Sequence, residues 1–445
     1  MQLRFFSVVL AGASMLMAGS AVLAQRPLRE RVITLAQNVL GTPSADDAAS
    51  YTVEALSSRD FANRIGVNTH IHYTDGGYAD VPKTIDALRY LGVQNLRDSV
   101  PDPSLPGGGG YNFDKFADQG FKFDFVVSPS LPLSKTLSLL DTFARAHPHA
   151  IAAVEGPNEV NNWPVSYKGE TGSKAAVDYQ ADLYAAIKDN PLLSALPVYN
   201  LTSWPELIGK SDVYNAHSYP PKGEQPEDHV KNVVRQLHKL DHLNSAVITE
   251  VGYYTLPGKG TWGGVDDATQ AKLSLNLILD SIGMGISRVY LYQLLDAYPD
   301  PSNNEMEKHF GLFDIDYRPK PAASAIHNLL QTVAANDPAT SGAKRAPPAL
   351  TVSAGDLNVK RLLLDGDQKV STLILWDERK IWDSEKNAPL PVPASEVTVD
   401  SDAEIAKIDV IDPIKAAEAV QTVRKTRTVK VQLEGYPVLI KLHRE

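Results

Sequence analysis

The feature that most constrains this chain is a rhythm that begins at Ile65, where short apolar, β-rich runs alternate with stretches of helical period and repeatedly end in polar residues. Such alternation specifies βα units wound around a parallel sheet. The runs predict strands at Ile65–Ile71, Gln94–Ser99, Phe123–Ser128, Ile151–Gly156, Val198–Thr202, Val213–Ser218, Ala246–Val251 and Arg288–Leu294. Between the first two, Ile85, Leu88 and Leu91 form one helical stripe, and Gly92 suits its C-cap. Eight such units between residues 65 and 330 predict a closed (β/α)8 TIM barrel, because a doubly wound open sheet requires neither this count nor closure. Nucleotide binding is not expected: no glycine-rich phosphate loop follows the first strand, and Gly107–Gly110 has no helix start behind it.

The flanks read differently. After Leu330, residues 331–349 are rich in Ala, Pro, Ser and Thr, as linkers are, and residues 350–445 then alternate apolar with polar at period two in LNVKRLLLDG, KVSTLILWDE, EVTVD, AKIDVIDP, TRTVKVQL and YPVLIKL. A small C-terminal antiparallel β-sandwich is expected there. At the other end, Arg4 precedes an apolar stretch that closes on Val22-Leu23-Ala24, the pattern of a signal peptide cleaved after Ala24, so a periplasmic or secreted protein is expected. An uncleaved anchor is the alternative, and the Gly, Ala and Ser content of Phe5 to Leu23 counts against it. Residues 25–60 form an N-terminal extension, with an amphipathic piece at Glu30 to Leu40, and the barrel occupies 61–330.

Composition narrows the chemistry. There is no cysteine, which removes thiolate nucleophiles, iron–sulfur clusters and thiolate zinc sites, and leaves oxygen and nitrogen side chains to act. The 43 Lys and Arg against 53 Asp and Glu give a net charge of −10, and loss of Arg4 with the leader makes it −11. An acidic surface disfavours nucleic acid and anionic membrane as partners.

In a parallel barrel the active site lies at the carboxyl ends of the strands. Strand four runs into VEGPNEV, which supplies Asn158 and Glu159, and strand seven ends in VITEV, which supplies Glu250. Two carboxylates converging on a barrel mouth meet the requirement of glycoside hydrolysis: one protonates the leaving oxygen, and the other attacks the anomeric carbon or activates water. Glu155, inside the strand-four run, is a rival for the acid role.

An Asn-Glu pair after strand four with a Glu after strand seven resembles clan A, the four-seven superfamily of retaining glycoside hydrolases, over residues 65 to about 330. The resemblance implies Glu159 as acid/base and Glu250 as nucleophile, with no cofactor. It also implies that Asn158 bonds the substrate 2-hydroxyl, that Arg97, in NLRDS after strand two, steadies the nucleophile, and that His217 and Tyr219, in NAHSYP after strand six, line the site. Two departures stand out. Val160 occupies the place where the clan commonly has Pro, and YLYQLLD offers Tyr292, Gln293 or Asp296 where strand eight usually brings a Trp beneath the sugar. Relatives that pair a barrel with a small β-sandwich, such as glycoside hydrolase family 39 and the endoglycosidases of bacterial exopolysaccharide clusters, look nearest.

Trp163, Trp204 and Trp262 fall in loops after strands four, five and seven, the rim on which sugar faces stack, with core packing as the plainer alternative. A different chemistry enters with His70 and His72, an H-x-H at the end of strand one, which is similar to the metal-dependent amidohydrolases. That site needs further ligands, yet strand five has no His and strand four ends without Lys, so both imidazoles are better read as sugar-binding residues. A non-catalytic carbohydrate-binding protein is a third class, against which the presence of both glutamates argues.

Overall fold

The structure, a computed structural model, describes residues 55–334, 348–365 and 369–444. The expected signal peptide, most of the N-terminal extension and most of the linker lie outside these residues. Eight parallel strands form the barrel: β1 (Ile65–Asn68), β2 (Asn95–Ser99), β3 (Lys122–Val126), β4 (Ile151–Glu155), β5 (Val198–Tyr199), β6 (Tyr214–His217), β7 (Ala246–Val251) and β8 (Arg288–Leu291). Their order is β5-β4-β3-β2-β1-β8-β7-β6, and a parallel bridge between Tyr199 and Val213 closes the ring. Each strand falls within its expected run except β3, which begins one residue early at Lys122. The ends are shorter than expected where the chain turns out of the sheet to build the mouth, as after Asn68 and Leu291.

Most of the strands are apolar on both faces because helices cover the outside and side chains fill the inside, whereas β2 (NLRDS) and β6 (YNAH) carry several polar residues. Ala153, Tyr199, Val247 and Tyr290 make an inner layer. Gly66 is required beside it: a Cβ there would lie 2.4 Å from the Tyr290 ring and 2.9 Å from the Asn95 carbonyl oxygen.

Around the ring run α1 (Val81–Leu91), α2 (Asn112–Ala117), α3 (Leu133–Ala146), α4 (Ser173–Asp189), α5 (Glu227–Leu237), α6 (Asp267–Gly283) and α7 (Pro321–Ala334). The Asp80 side chain caps α1 through the Lys83 amide, and Gly92 ends it at φ 86°, as the sequence leads one to expect. One expected unit is incomplete. No helix separates β5 from β6; Asn200 instead organises that segment, its amide nitrogen donating to the Leu207 carbonyl (2.8 Å) and its oxygen accepting from the Gly209 amide (2.8 Å).

The C-terminal residues form one bent antiparallel sheet built from β9 (Leu350–Ser353), β10 (Lys360–Asp365), β11 (Val370–Trp376), β12 (Ser395–Ile411), β13 (Ala419–Leu433) and β14 (Val438–His443). EVTVD and AKIDVIDP are two halves of β12, whose pairing breaks between Asp400 and Ile405. The two halves of the sheet enclose a core of their own that includes Leu363, Leu373, Val397, Val399 and Ile440. On the opposite face Leu362, Leu364, Ile374, Trp376 and Leu439 join the barrel core, so β10, β11 and β14 are buried on both sides. Leu56–Ser57 adds a parallel strand at the edge of this sheet, against Leu364–Asp365.

Helix α6 is buried almost all round, as a helix enclosed between barrel and sheet must be. Its Asp280 accepts from Lys360 Nζ (2.9 Å) and Trp376 Nε1 (3.0 Å). A second contact reaches the barrel mouth: Trp382 packs so closely on Gly223, in the β6–α5 loop, that a Cβ on Gly223 would lie 2.6 Å from its ring and 2.7 Å from Val265.

Candidate active site

The mouth of the barrel is organised around Arg97, which β2 delivers nearly buried to its centre. Its five N–H groups are all used. Nε and Nη2 grip both oxygens of Glu155 (2.6 and 2.8 Å), Nη2 also reaches Asn158 Oδ1 (2.8 Å), and Nη1 donates to Asn68 Oδ1 (2.9 Å) and to Glu250 Oε1. Burial works against the charge of Arg97, but Glu155 and Glu250 more than offset it and hold the guanidinium ionised. Glu155 is therefore a fully buried structural counter-ion with no access to a ligand, not a second candidate acid.

Glu250, at the end of β7, accepts from Tyr219 through its other oxygen (3.2 Å). Burial pushes its carboxyl up, while His217 and Arg97 pull harder and keep it below the usual carboxylate range. Burial and the neighbouring Glu250 raise the Tyr219 hydroxyl well above its ordinary value, so it remains a donor.

Glu159 sits in the loop after β4 at φ 39°, a left-handed conformation that side chains other than Gly and Asn seldom adopt. Its amide donates to Thr202 Oγ1 (2.9 Å), and its carbonyl accepts from the Asn162 and Trp163 amides (2.8 and 2.9 Å), which together hold the turn. Strain of this kind persists where the surroundings over-determine it, commonly at ligand sites. The carboxylate meets His217 Nδ1 (2.9 Å) and Asn162 Nδ2 (3.0 Å). One oxygen of Glu159, one of Glu250 and a ring nitrogen of His217 all lie within 4.8 Å of one another.

An acid group ready to donate would be expected to have its affinity for protons raised by the nearby Glu250 charge, yet Glu159 is held low. The hydrogen bond with His217 is the main cause, burial opposes it, and the His217 charge and Asn162 amide add to it. The orientation of His217 can be followed outward. Asn215 donates its amide to the Asn200 carbonyl (3.1 Å), which turns Asn215 Oδ1 toward Thr249 Oγ1 (2.8 Å). The Thr249 hydroxyl has only acceptors there, Asn215 Oδ1 and Glu155 Oε1 (3.1 Å), so it donates to one of them and accepts from His217 Nε2 (3.2 Å). With Nε2 protonated, the short contact between Nδ1 and Glu159 holds one shared proton, carried either by the imidazole or by the carboxyl.

Two concavities meet at this pair. One, of about 840 Å³, is lined by His70, Asn158, Glu250, Tyr292, Gln293 and Glu307 among others; the second, of about 510 Å³, includes Thr202, Trp204, Glu206 and His217. Glu159, Asn162, Tyr219 and Trp262 border both, so the two concavities adjoin at Glu159, while Glu250 lines the larger one. Asn158, whose oxygen is taken by Arg97, has its Nδ2 to offer a ligand. Trp163 and Trp204 are about 70% exposed at the rim, a position that core packing does not account for, and Trp262 packs at a tilt against Tyr219 (ring centroids 5.3 Å apart). In the place where a Trp was missed, Tyr292 forms the floor with Phe310 (5.3 Å) and His70 (5.7 Å). Asp296 is not in the cleft; it pairs with Lys320 (2.6 Å).

His70 and His72 diverge. His70 stacks on Tyr73 within the cleft, and burial brings its imidazole down to about 4, so it is neutral near pH 7. His72 turns away against Phe113 and toward the Val100 carbonyl (3.3 Å), lines neither concavity, and drops out of the substrate-binding set. Alternate residues of an irregular turn do not share a face as they would on a strand. The pair forms no metal site, and among the described residues the one cluster with ligand spacing is Glu159, His217 and Glu250. Sequence reasoning missed Asn162, Thr202, Thr249 and Glu307, which lie in turns or mid-strand with no spacing to mark them; Asn68, a polar residue ending a barrel strand, could have been found.

No family model matches the sequence, and no curated protein matches it. Solved structures do resemble it. The GH39 enzyme from Xanthomonas axonopodis pv. citri aligns over 88% of this chain and 95% of its own, with a TM-score of 0.55 and 15% identity. A glucosidase from Croceicoccus marinus aligns over 81% and 91%, with a TM-score of 0.54 and 13% identity. The likeness is one of fold. It covers the barrel together with the C-terminal sheet and supports the two-part architecture read from the sequence. Among the described residues no helix is long and apolar enough to cross a membrane.

Proposed function

We propose that this protein is an exported glycoside hydrolase that cleaves O-glycosidic bonds inside a poly- or oligosaccharide, an exopolysaccharide among the candidates, by double displacement and without a cofactor. The observation that carries the reading is the pair Glu159 and Glu250, on the β4 and β7 ends of a closed barrel with oxygens within 4.8 Å. This favours the retaining arrangement, in which the carboxyl groups stand about 5–5.5 Å apart, over the wider spacing of an inverting pair. The glycosidase names of both structural neighbours favour the same reading. Export rests on the Arg4 to Ala24 pattern alone.

Glu250, kept ionised by His217 and Arg97, attacks the anomeric carbon and forms a glycosyl ester as the glycosidic C–O bond breaks. The leaving oxygen takes the proton shared by His217 and Glu159, delivered through Glu159. Charge is conserved in this step: one carboxylate becomes a neutral ester while the dyad gives up one proton. Water then attacks the ester, Glu159 removes its proton, and Glu250 is released with the original configuration restored. Asn158 bonds the 2-hydroxyl, Tyr292 underlies the sugar, Gln293 and His70 face its hydroxyls, and Trp163, Trp262 and Trp204 stack along the chain. Internal cutting is favoured because a second concavity adjoins the larger one at Glu159.

Azide tests the roles. Added azide should rescue Glu159→Ala by attacking the glycosyl ester, giving a glycosyl azide of retained configuration; in Glu250→Ala it should enter the vacated space and give the inverted product. The opposite stereochemistry would mean that the roles are exchanged, and single-turnover release of one monosaccharide per chain would reject internal cutting.

A further inference from the structure

The larger concavity carries a polarity that the cleavage reaction does not need. Besides Glu159 and Glu250 it is lined by a third carboxylate, Glu307, and its one lysine, Lys308, is engaged by Glu305 (2.9 Å). His70 is neutral, and Arg97 has no N–H left to offer. In the smaller concavity Glu206 adds another acid, and His229 bonds Glu224 (3.0 Å). Apart from the neutral His70, each basic group lining the two concavities thus already has an acidic partner, His217 through Glu159.

Two other atoms show what the site does offer. Gln293 is 2% exposed, and neither its Oε1 nor the neighbouring His70 Nε2 makes a well-formed hydrogen bond, although the two side chains lie close enough to interact with each other. Both residues line the cleft. A carboxamide oxygen is an acceptor and Nε2 of a neutral imidazole can donate, and a hydroxyl satisfies both at once, whereas a carboxylate would meet Gln293 oxygen to oxygen. The Gln293 amide is fixed in this sense, because its nitrogen donates to the Glu307 carbonyl (3.1 Å). The same bond ties the position of Glu307 to that of Gln293. Burial raises the Glu307 carboxyl and the charges of Glu250 and Glu159 add to it, so the three acids feel one another's fields.

We propose that the cleft takes a glycan free of anionic groups, with Gln293 and His70 reading a sugar hydroxyl and Glu307 acting as the specificity-determining residue that turns away uronate-bearing, sulfated or phosphorylated sugars. This rests on the hydrolase reading above and names its substrate class. A like charge roughly 10 Å away at an effective dielectric constant near 20 changes affinity on the order of tenfold, enough to sort substrates.

The test uses the whole protein and two sets of polymers: β-glucan, galactomannan and chitosan against alginate, polygalacturonate and hyaluronan, with products sized by chromatography. Cleavage confined to the first set is expected. The polymer cut fastest is then partly oxidised at its primary hydroxyls to carboxylates; kcat/KM should fall by about tenfold or more with wild type, and Glu307→Gln should recover on the order of tenfold of that loss relative to the unoxidised polymer. Cleavage of the anionic set alone, or equal loss on oxidation in wild type and Glu307→Gln, overturns the charge reading and leaves the hydrolase reading standing. If no polymer is cut, the hydrolase reading falls and this one falls with it.

Discussion

Replacing Arg97 by Lys keeps the charge but not the fork, and the structure sets the size of the effect. Five hydrogen bonds converge from the guanidinium on Glu155, Asn158, Asn68 and Glu250, and an ammonium can supply three at most. Two lost charge-assisted bonds at about 1.5–3 kcal/mol each give a loss of about 3 kcal/mol or more, consistent with the roughly 3–5 kcal/mol seen when a buried ion pair is broken. Urea denaturation at pH 7 should show this loss as a lower midpoint. Its pH dependence has a definite sign. Glu250 is held below its unfolded value, so the stability it contributes through Arg97 is fully present above the usual carboxylate range and is lost as pH falls through the folded value. The difference between wild type and Arg97→Lys should therefore hold steady from pH 7 to about 5 and narrow only as the pH falls through and below the usual carboxylate range. In the same variant the acidic limb of kcat/KM should move to higher pH, since one of the two charges that hold Glu250 ionised is displaced. A stability difference below about 1 kcal/mol at pH 7, or one that widens in acid, would refute the reasoning.

Three further outcomes are expected. Asp98 anchors the turn that presents His70, accepting from Thr69 Oγ1 (2.8 Å), the Ile71 amide (2.9 Å) and the Ser99 amide (2.7 Å); Asp98→Asn sets an N–H against an N–H and should raise KM several-fold with kcat nearly unchanged, so an unchanged KM would argue against that anchoring. Trp204→Ala should shift the product-size pattern without altering cleavage of a short aryl glycoside, whereas an equal loss on both would remove Trp204 from the polymer track. Activity should survive exhaustive chelation because His70 and His72 point apart; loss with recovery on added zinc would instead assign a metal to the Glu159, His217 and Glu250 cluster.

Most barrel strands were legible because burial on both faces writes an apolar run, and Glu159 and Glu250 were legible because each follows or nearly ends such a run, whereas Arg97 lies within the mainly polar β2. The β5–β6 segment was not, since its order comes from Asn200 and Gln180 bonding scattered backbone groups, which leaves no periodic trace. β12 read as two strands because Ser401 to Glu404 interrupt its alternation at the bend. His72 was misplaced by treating the chain after Asn68 as a continuing strand. The low proton affinity of Glu159 depends on His217, a residue 58 positions away whose orientation is fixed through Thr249, Asn215 and Asn200 in turn. Such a relay exists only in three dimensions.

The packing of Trp382 on Gly223 and Val265 also bears on the order in which a newly made chain gains its activity. Residues Ile65 to Leu291 contain Glu159, Glu250 and the side chains that hold them, and they leave the ribosome before the C-terminal sheet. The loops that carry Tyr219 and Trp262 nevertheless lean on an aromatic ring made more than a hundred residues later, in a sheet completed only by Val438–His443 and edged by Leu56–Ser57 from the start of the described chain. The cleft is thus completed only once the C-terminal region that carries Trp382 has been made, well after Glu159 and Glu250.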